Sequence, residues 1–117
     1  MLESELESIF RQQVRKAGGL ALKFASPGRA GVPDRIILAP GGRVFFVEMK
    51  RPGGKLRPLQ VQNAKVFRGL GHPVSVIDSK EGIRRFIAEL KNPLACSDEY
   101  RAGYNAGFLA ALGGGDA

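Results

Sequence analysis

The chain has 117 residues with a formal net charge of +7; that length holds one domain with a modest core, and the positive excess points to a polyanionic partner. A single cysteine, Cys96, excludes an internal disulfide and fits a reducing compartment. No apolar run reaches the ~20 residues of a membrane span and the acidic N-terminus is unlike a signal peptide, so a cytoplasmic protein is expected.

In chain order, Leu2 to Ala17 reads as a helix with Leu6, Ile9, Phe10 and Val14 on one stripe, ended by Gly18-Gly19. Leu20 to Phe24 is a predicted strand. Residues Ser26 to Pro33 form a loop that delivers Asp34 to a hairpin. The arms of that hairpin are Arg35–Ala39 and Arg43–Val47, β-branched or aromatic runs joined by the turn signal Pro40-Gly41-Gly42. Ile36, Leu38, Val44 and Phe46 make one face apolar, and Ile37, Phe45, Val47 and Met49 the other. The hairpin is therefore expected inside a sheet covered on both sides.

Arg51 to Lys55 reads as a second, basic loop. Pro58 suits the first turn of a helix running to about Leu70, with Leu59, Val66, Phe67 and Leu70 as its buried stripe. His72, between Gly71 and Pro73, reads as a turn residue. Pro73 to Ile77 is a further strand. Asp78 with Glu81 has the form of a capping box, opening a helix that buries Ile83, Phe86, Ile87 and Leu90 and ends at Asn92-Pro93. The order α-β-β-β-α-β-α gives an α/β class with a mixed sheet flanked by helices.

Residues 1–92 form the predicted domain, and 93–117 a separate C-terminal helical extension. In that extension Ser97 can cap a helix carrying Tyr100, Tyr104 and Phe108 at i, i+4, i+8, a stripe suited to packing on the protein's own core or on a second copy. Gly113-Gly114-Gly115 reads as a frayed end. Asp98, Glu99 and Asp116 outnumber Arg101 there, so the positive excess lies in the preceding residues.

The chemistry concentrates at the open end of the hairpin. With the turn centred near Gly41, Asp34 falls opposite Glu48, ~5 Å apart at Cβ. Period-two alternation puts Lys50 on the face of Glu48. An isolated Glu-x-Lys is ordinarily a surface ion pair. Here the charges end strands that are apolar on both faces, where they are costly unless paired or bound to an ion. Two carboxylates that close repel unless something positive lies between them. Oxygen donors without a Cys/His cluster suit Mg²⁺ or Mn²⁺ better than zinc. In a basic chain, the target of a water activated beside such an ion is a nucleic-acid phosphodiester. Ser26, Arg29, Arg35, Arg51, Lys55 and Arg57 flank this point as candidate phosphate contacts. No aromatic platform for base stacking is visible, so recognition of backbone and shape is expected.

Gly31-Val32-Pro33-Asp34, the triplet Glu48-Met49-Lys50, the loop Gly53-Gly54-Lys55-Leu56 and Gln60 on the following helix resemble the VRR-Nuc family of the PD-(D/E)XK nuclease superfamily. Gly18-Gly19-Leu20, Lys23-Phe24 and Ser26-Pro27-Gly28 are similar to small phage-type members. The resemblance covers about residues 3–90, and Met49 is a tolerated variation at an apolar position. It implies a restriction-endonuclease-like αβββαβ core in a bacterial or phage-infected host cell. It implies that Asp34 and Glu48 ligate the metal with the Met49 carbonyl, and that Lys50 orients or deprotonates the attacking water. A further carboxylate is implied from the first helix. Glu3 and Glu7 lie one turn apart on one face there, and Glu7 is preferred because it lies nearer the sheet. Gln60, in the first turn of its helix, would hold Lys50, a water or a phosphate.

The activity implied is metal-dependent DNA endonuclease, selective for branched DNA such as a Holliday junction and plausible as a homodimer cutting two strands. A nicking or flap nuclease, a subunit that cuts only with a partner protein, and a non-catalytic DNA-binding module are the rival readings. The intact Asp34, Glu48 and Lys50 argue against the last.

Overall fold

The apolar runs on either side of Pro40-Gly41-Gly42 pair as the antiparallel centre of a four-stranded sheet. The structure is a computed structural model and describes residues 2–92. Its elements are α1 (Glu3–Lys16), β1 (Leu20–Lys23), β2 (Arg35–Ala39), β3 (Arg43–Met49), α2 (Pro58–Gly69), β4 (Val74–Ile77) and α3 (Lys80–Lys91), the predicted order. The strands lie in the order β1-β2-β3-β4. Both β1/β2 and β2/β3 are antiparallel, while β3/β4 is parallel, so the sheet is mixed. Ile36 faces Phe46 and Leu38 faces Val44, the expected register. Pairing of Arg35 with Val47 makes Asp34 and Glu48 the next rung. The Phe24 N–H donates to the Asp34 carbonyl at 2.8 Å, carrying the β1 pairing one step further toward them.

One face of the sheet holds the core. Leu6, Phe10 and Val14 of α1 and Ile83, Phe86, Ile87 and Leu90 of α3 close over Ile37, Val47, Met49 and Ile77. The Phe86 ring stands 5.3 Å from Phe10 and 5.5 Å from Phe45. Each fully buried side chain of this kind contributes about 1.5–3 kcal/mol relative to exposure. Arg43 fastens the end of α3 to the hairpin turn, donating to the carbonyls of Leu90 (2.5 Å), Asn92 (3.2 Å) and its own turn's Pro40 (3.2 Å).

Three expectations are corrected. The hairpin is not covered on both sides: on the face away from α1 and α3, Leu38 and Val44 remain 41% and 42% exposed. The α2 stripe is not buried either, because Leu59, Val66 and Leu70 are exposed and the buried residue of the helix is Asn63. Helix α2 meets the sheet through Phe67, whose ring stands edge-on to Phe46 at 5.1 Å, with His72 on the same ring at 5.7 Å. The α3 cap is Ser79, not Asp78. Its extended backbone brings Oγ to the Gly82 N–H at 3.0 Å, while Glu81 turns to Arg84 and Arg85. The proposed helix from Ser97, its stripe and the glycine-rich end lie outside the described residues.

Candidate active site at the open end of the hairpin

Asp34 and Glu48 are joined by the backbone as well as by register. Asp34 Oδ1 accepts from the Met49 N–H at 3.1 Å, and the Asp34 N–H donates to the Glu48 carboxylate. Met49 itself sends its side chain into the core. Lys50 lies on the side of Glu48, with Nζ 3.9 Å from Glu48 Oε1. Its backbone N–H donates to the Ile77 carbonyl at 2.9 Å, so β4 fixes the strand at this point. Gln60 reaches in from α2: Nε2 donates to Glu48 Oε1 at 3.2 Å, and Oε1 accepts from the Arg57 N–H at 2.8 Å. One glutamine thus caps its own helix and holds a site carboxylate.

The electrostatics leave this rung short of positive charge. Burial raises the pKa of Asp34 above the ordinary carboxylate value, against the lowering effects of the Met49 N–H and Arg35. Glu48 is pushed up to about 7, first by burial and then by the Asp34 charge, with Lys50 only partly offsetting both. Carboxyls whose ionised forms burial disfavours, with oxygen donors facing one another, suit a hard divalent ion, which would favour those ionised forms. Among the described residues no group of three or more His, Cys, Asp or Glu side chains is gathered for a metal. Asp34 and Glu48 are therefore the side-chain donors that the fold itself brings together.

The helix carboxylates divide. Glu7 pairs with the guanidinium of Arg35. Glu3 is exposed, yet its charge acts on both Asp34 and Glu48, whereas that of Glu7 acts on Asp34. Arg35 corrects its expected place among the phosphate-facing cations. It is 5% exposed, donates to the Asp34 carbonyl at 3.3 Å, and its Nε has no hydrogen-bond partner among the described residues. The reason is alternation: a strand that sends Asp34 to one face sends Arg35 to the other, under α1.

Arg29, Arg51, Lys55 and Arg57 are exposed on the loops around the site, and Ser26 is half-buried. Asn63 was not anticipated from the sequence. Its Oδ1 accepts from Arg29 Nε at 2.6 Å, and its Nδ2 donates to the carbonyls of Ala30 (2.8 Å) and Leu59 (3.0 Å), pinning the loop before Asp34 onto α2. Gly31 makes that approach possible. It has φ +80°, and a Cβ there would lie 2.7 Å from Asn63 Nδ2. The available signal was spacing, since Asn63 follows Gln60 by three residues and shares its helix face.

The VRR-NUC domain pattern matches residues 2–81. The chain is 49% identical over 80 residues to "Putative nuclease p44" of Acyrthosiphon pisum secondary endosymbiont phage 1, covering 68% of this chain and 85% of that protein. A solved structure described as a VRR_NUC domain superposes with a TM-score of 0.69 at 30% identity, covering 74% of this chain and 94% of the other. The matched span contains the whole Asp34–Glu48–Lys50–Gln60 arrangement, and on these grounds the chain belongs to the VRR-NUC domain family.

Proposed function

We propose that this protein is a metal-dependent endonuclease that hydrolyses DNA phosphodiester bonds, with branched DNA, a four-way junction above all, as its substrate. The observation that carries the reading is the pairing of Asp34 and Glu48 on one rung, both resisting ionisation, with Lys50 and Gln60 on the same carboxylate. Nuclease family membership and a phage relative named as a nuclease support it. Asp34, Glu48, the Met49 carbonyl and a helix carboxylate, Glu7 or Glu3, would hold Mg²⁺ or Mn²⁺. The bound ion would supply Lewis-acid polarisation at this point.

The chain's own groups do the rest. Gln60 holds Glu48 in place. Lys50 offers its ammonium where negative charge builds on the phosphoryl oxygens, and it orients the attacking water. Arg29, Arg51, Lys55, Arg57 and Ser26 meet neighbouring phosphates, which set register without reading sequence. Two copies would bring two such sites to the two strands of a junction.

The test is cleavage of labelled four-way junction, flap, single-stranded and plain duplex DNA with Mg²⁺, Mn²⁺ or EDTA. Cutting that needs the ion and is fastest on the junction supports the reading. Fastest cutting of flap or nicked duplex would reassign the substrate, and binding without cutting on every DNA would contradict the enzyme.

A further inference from the structure

Helix α2 buries an amide while its leucines stay open to water: Asn63 is 2% exposed, Leu59 and Leu70 47% and 73%. A polar side chain is stable in such a place only where its hydrogen bonds are made. Here they are. The nitrogen of the amide faces two carbonyls, those of Ala30 and Leu59, and only a donor can sit there. That turns Oδ1 to Arg29 Nε, at 2.6 Å. Two of the three bonds therefore hold backbone, and the third holds the side chain of an exposed arginine. Ordering a surface arginine costs side-chain entropy, and a fold that orders it in advance spares a ligand that cost.

We propose that Asn63 is a positioning residue: it presents Arg29 as a preformed fork for one backbone phosphate, next to the phosphate that is cut. The proposal rests on the nuclease reading above. Held through Nε, the guanidinium keeps its pair of Nη groups, which match the oxygens of a phosphate bidentately. Its place along the strand follows from α2. Gln60 holds Glu48, and Asn63 follows Gln60 by one helical turn, ~4.5 Å along the axis. Successive phosphates of one strand are ~3.4 Å apart along a duplex axis. One helix thus sets the site carboxylate with one residue and, about a nucleotide away, the fork with another. Gly31, at φ +80°, lets the loop that carries Arg29 lie against the amide.

Binding of a labelled four-way junction and a plain duplex in EDTA, read by fluorescence anisotropy, tests this apart from cleavage. Arg29→Ala should weaken binding on the order of tenfold and lower the slope of affinity against salt by about 1. Arg29→Lys keeps the charge without the fork, so it should restore the slope and not the affinity. Asn63→Ala should weaken binding several-fold in the wild type and leave it unchanged in an Arg29→Ala background, although the urea midpoint falls in both. A role in loop stability alone predicts lost affinity in both backgrounds, and that result would overturn the proposal with the nuclease reading intact. Wild-type affinity in Arg29→Lys would overturn it too, and this exposed position decides the matter even if Asn63→Ala unfolds. A methylphosphonate placed beside the cut should slow wild-type cleavage and leave that of Arg29→Ala unchanged; equal slowing of both would place the fork elsewhere and contradict the proposal. A wild type that binds no DNA would overturn both readings.

Discussion

Gln60 donates from Nε2 to Glu48 Oε1 at 3.2 Å while its Oε1 accepts from the Arg57 N–H at 2.8 Å. The start of α2 is thereby tied to the carboxylate on which the proposed chemistry depends. Gln60→Ala removes both bonds. A partner that orients a ligating carboxylate is typically worth 10–100-fold in activity or metal affinity, so a rate loss in about that range is expected, with the metal requirement kept. An unchanged rate in single-turnover cleavage would make Gln60 a helix cap and nothing more.

The raised pKa of Glu48 has a direction in pH. Its value in the fold is about 7 against an ordinary 4.5, so the fold favours the protonated form. The unfolded chain releases that proton first as pH rises. Stability is thus fullest below 4.5 and falls as pH climbs through about 7. The loss is on the order of 3 kcal/mol at most. Glu48→Gln should flatten this slope in urea denaturation followed across that window. Mg²⁺ should offset the loss in the wild type at the alkaline end, because an ion that binds the ionised site stabilises the fold. A wild-type profile that rises over this window would contradict the burial assigned to Glu48.

Arg35 is a structural cation under α1. Arg35→Ala leaves Glu7 without its partner and empties a buried position; because Glu7 is half-buried and water can reach it, the cost is expected below the about 3–5 kcal/mol of a fully buried pair broken from one side. A clear drop in the urea midpoint is expected. An unchanged midpoint with a shallower salt dependence of DNA binding would return Arg35 to the phosphate-facing set.

The loop before Asp34 depends on Asn63 and Gly31. Asn63→Ala removes the bonds to Arg29 and to the Ala30 carbonyl, each worth about 0.5–1.5 kcal/mol. Gly31→Ala adds a Cβ 2.8 Å from Leu59 Cγ at a positive φ. Both variants should speed trypsin cleavage at Arg29, an exposed residue that the wild type holds against Asn63. Equal cleavage rates would mean the loop is fixed by other contacts.

The rung of Asp34 and Glu48 was legible because it follows from a turn position and a period of two. The same period also placed Arg35 on the opposite face, though the count of basic residues near the site suggested otherwise. The α2 stripe was misjudged for a different reason. Periodicity marks which side chains share a face, but whether anything covers that face depends on tertiary packing: Phe67 of that stripe stands edge-on to Phe46 of the sheet, while Leu59, Val66 and Leu70 stay exposed. Asn63 was invisible because a buried amide is defined by the loop it bonds, and that loop folds onto it from more than thirty residues away. Met49 shows the converse. Its apolar side chain is readable as core, while the N–H it gives Asp34 emerges only with the backbone in place.

The most direct measurement compares wild type with Glu48→Ala on one labelled four-way junction, following strand cleavage and DNA binding together with Mg²⁺ or EDTA. Ion-dependent cutting by the wild type, abolished in the variant while binding is retained, is the predicted result. Cutting by Glu48→Ala at the wild-type rate would contradict a catalytic site at the open end of the hairpin.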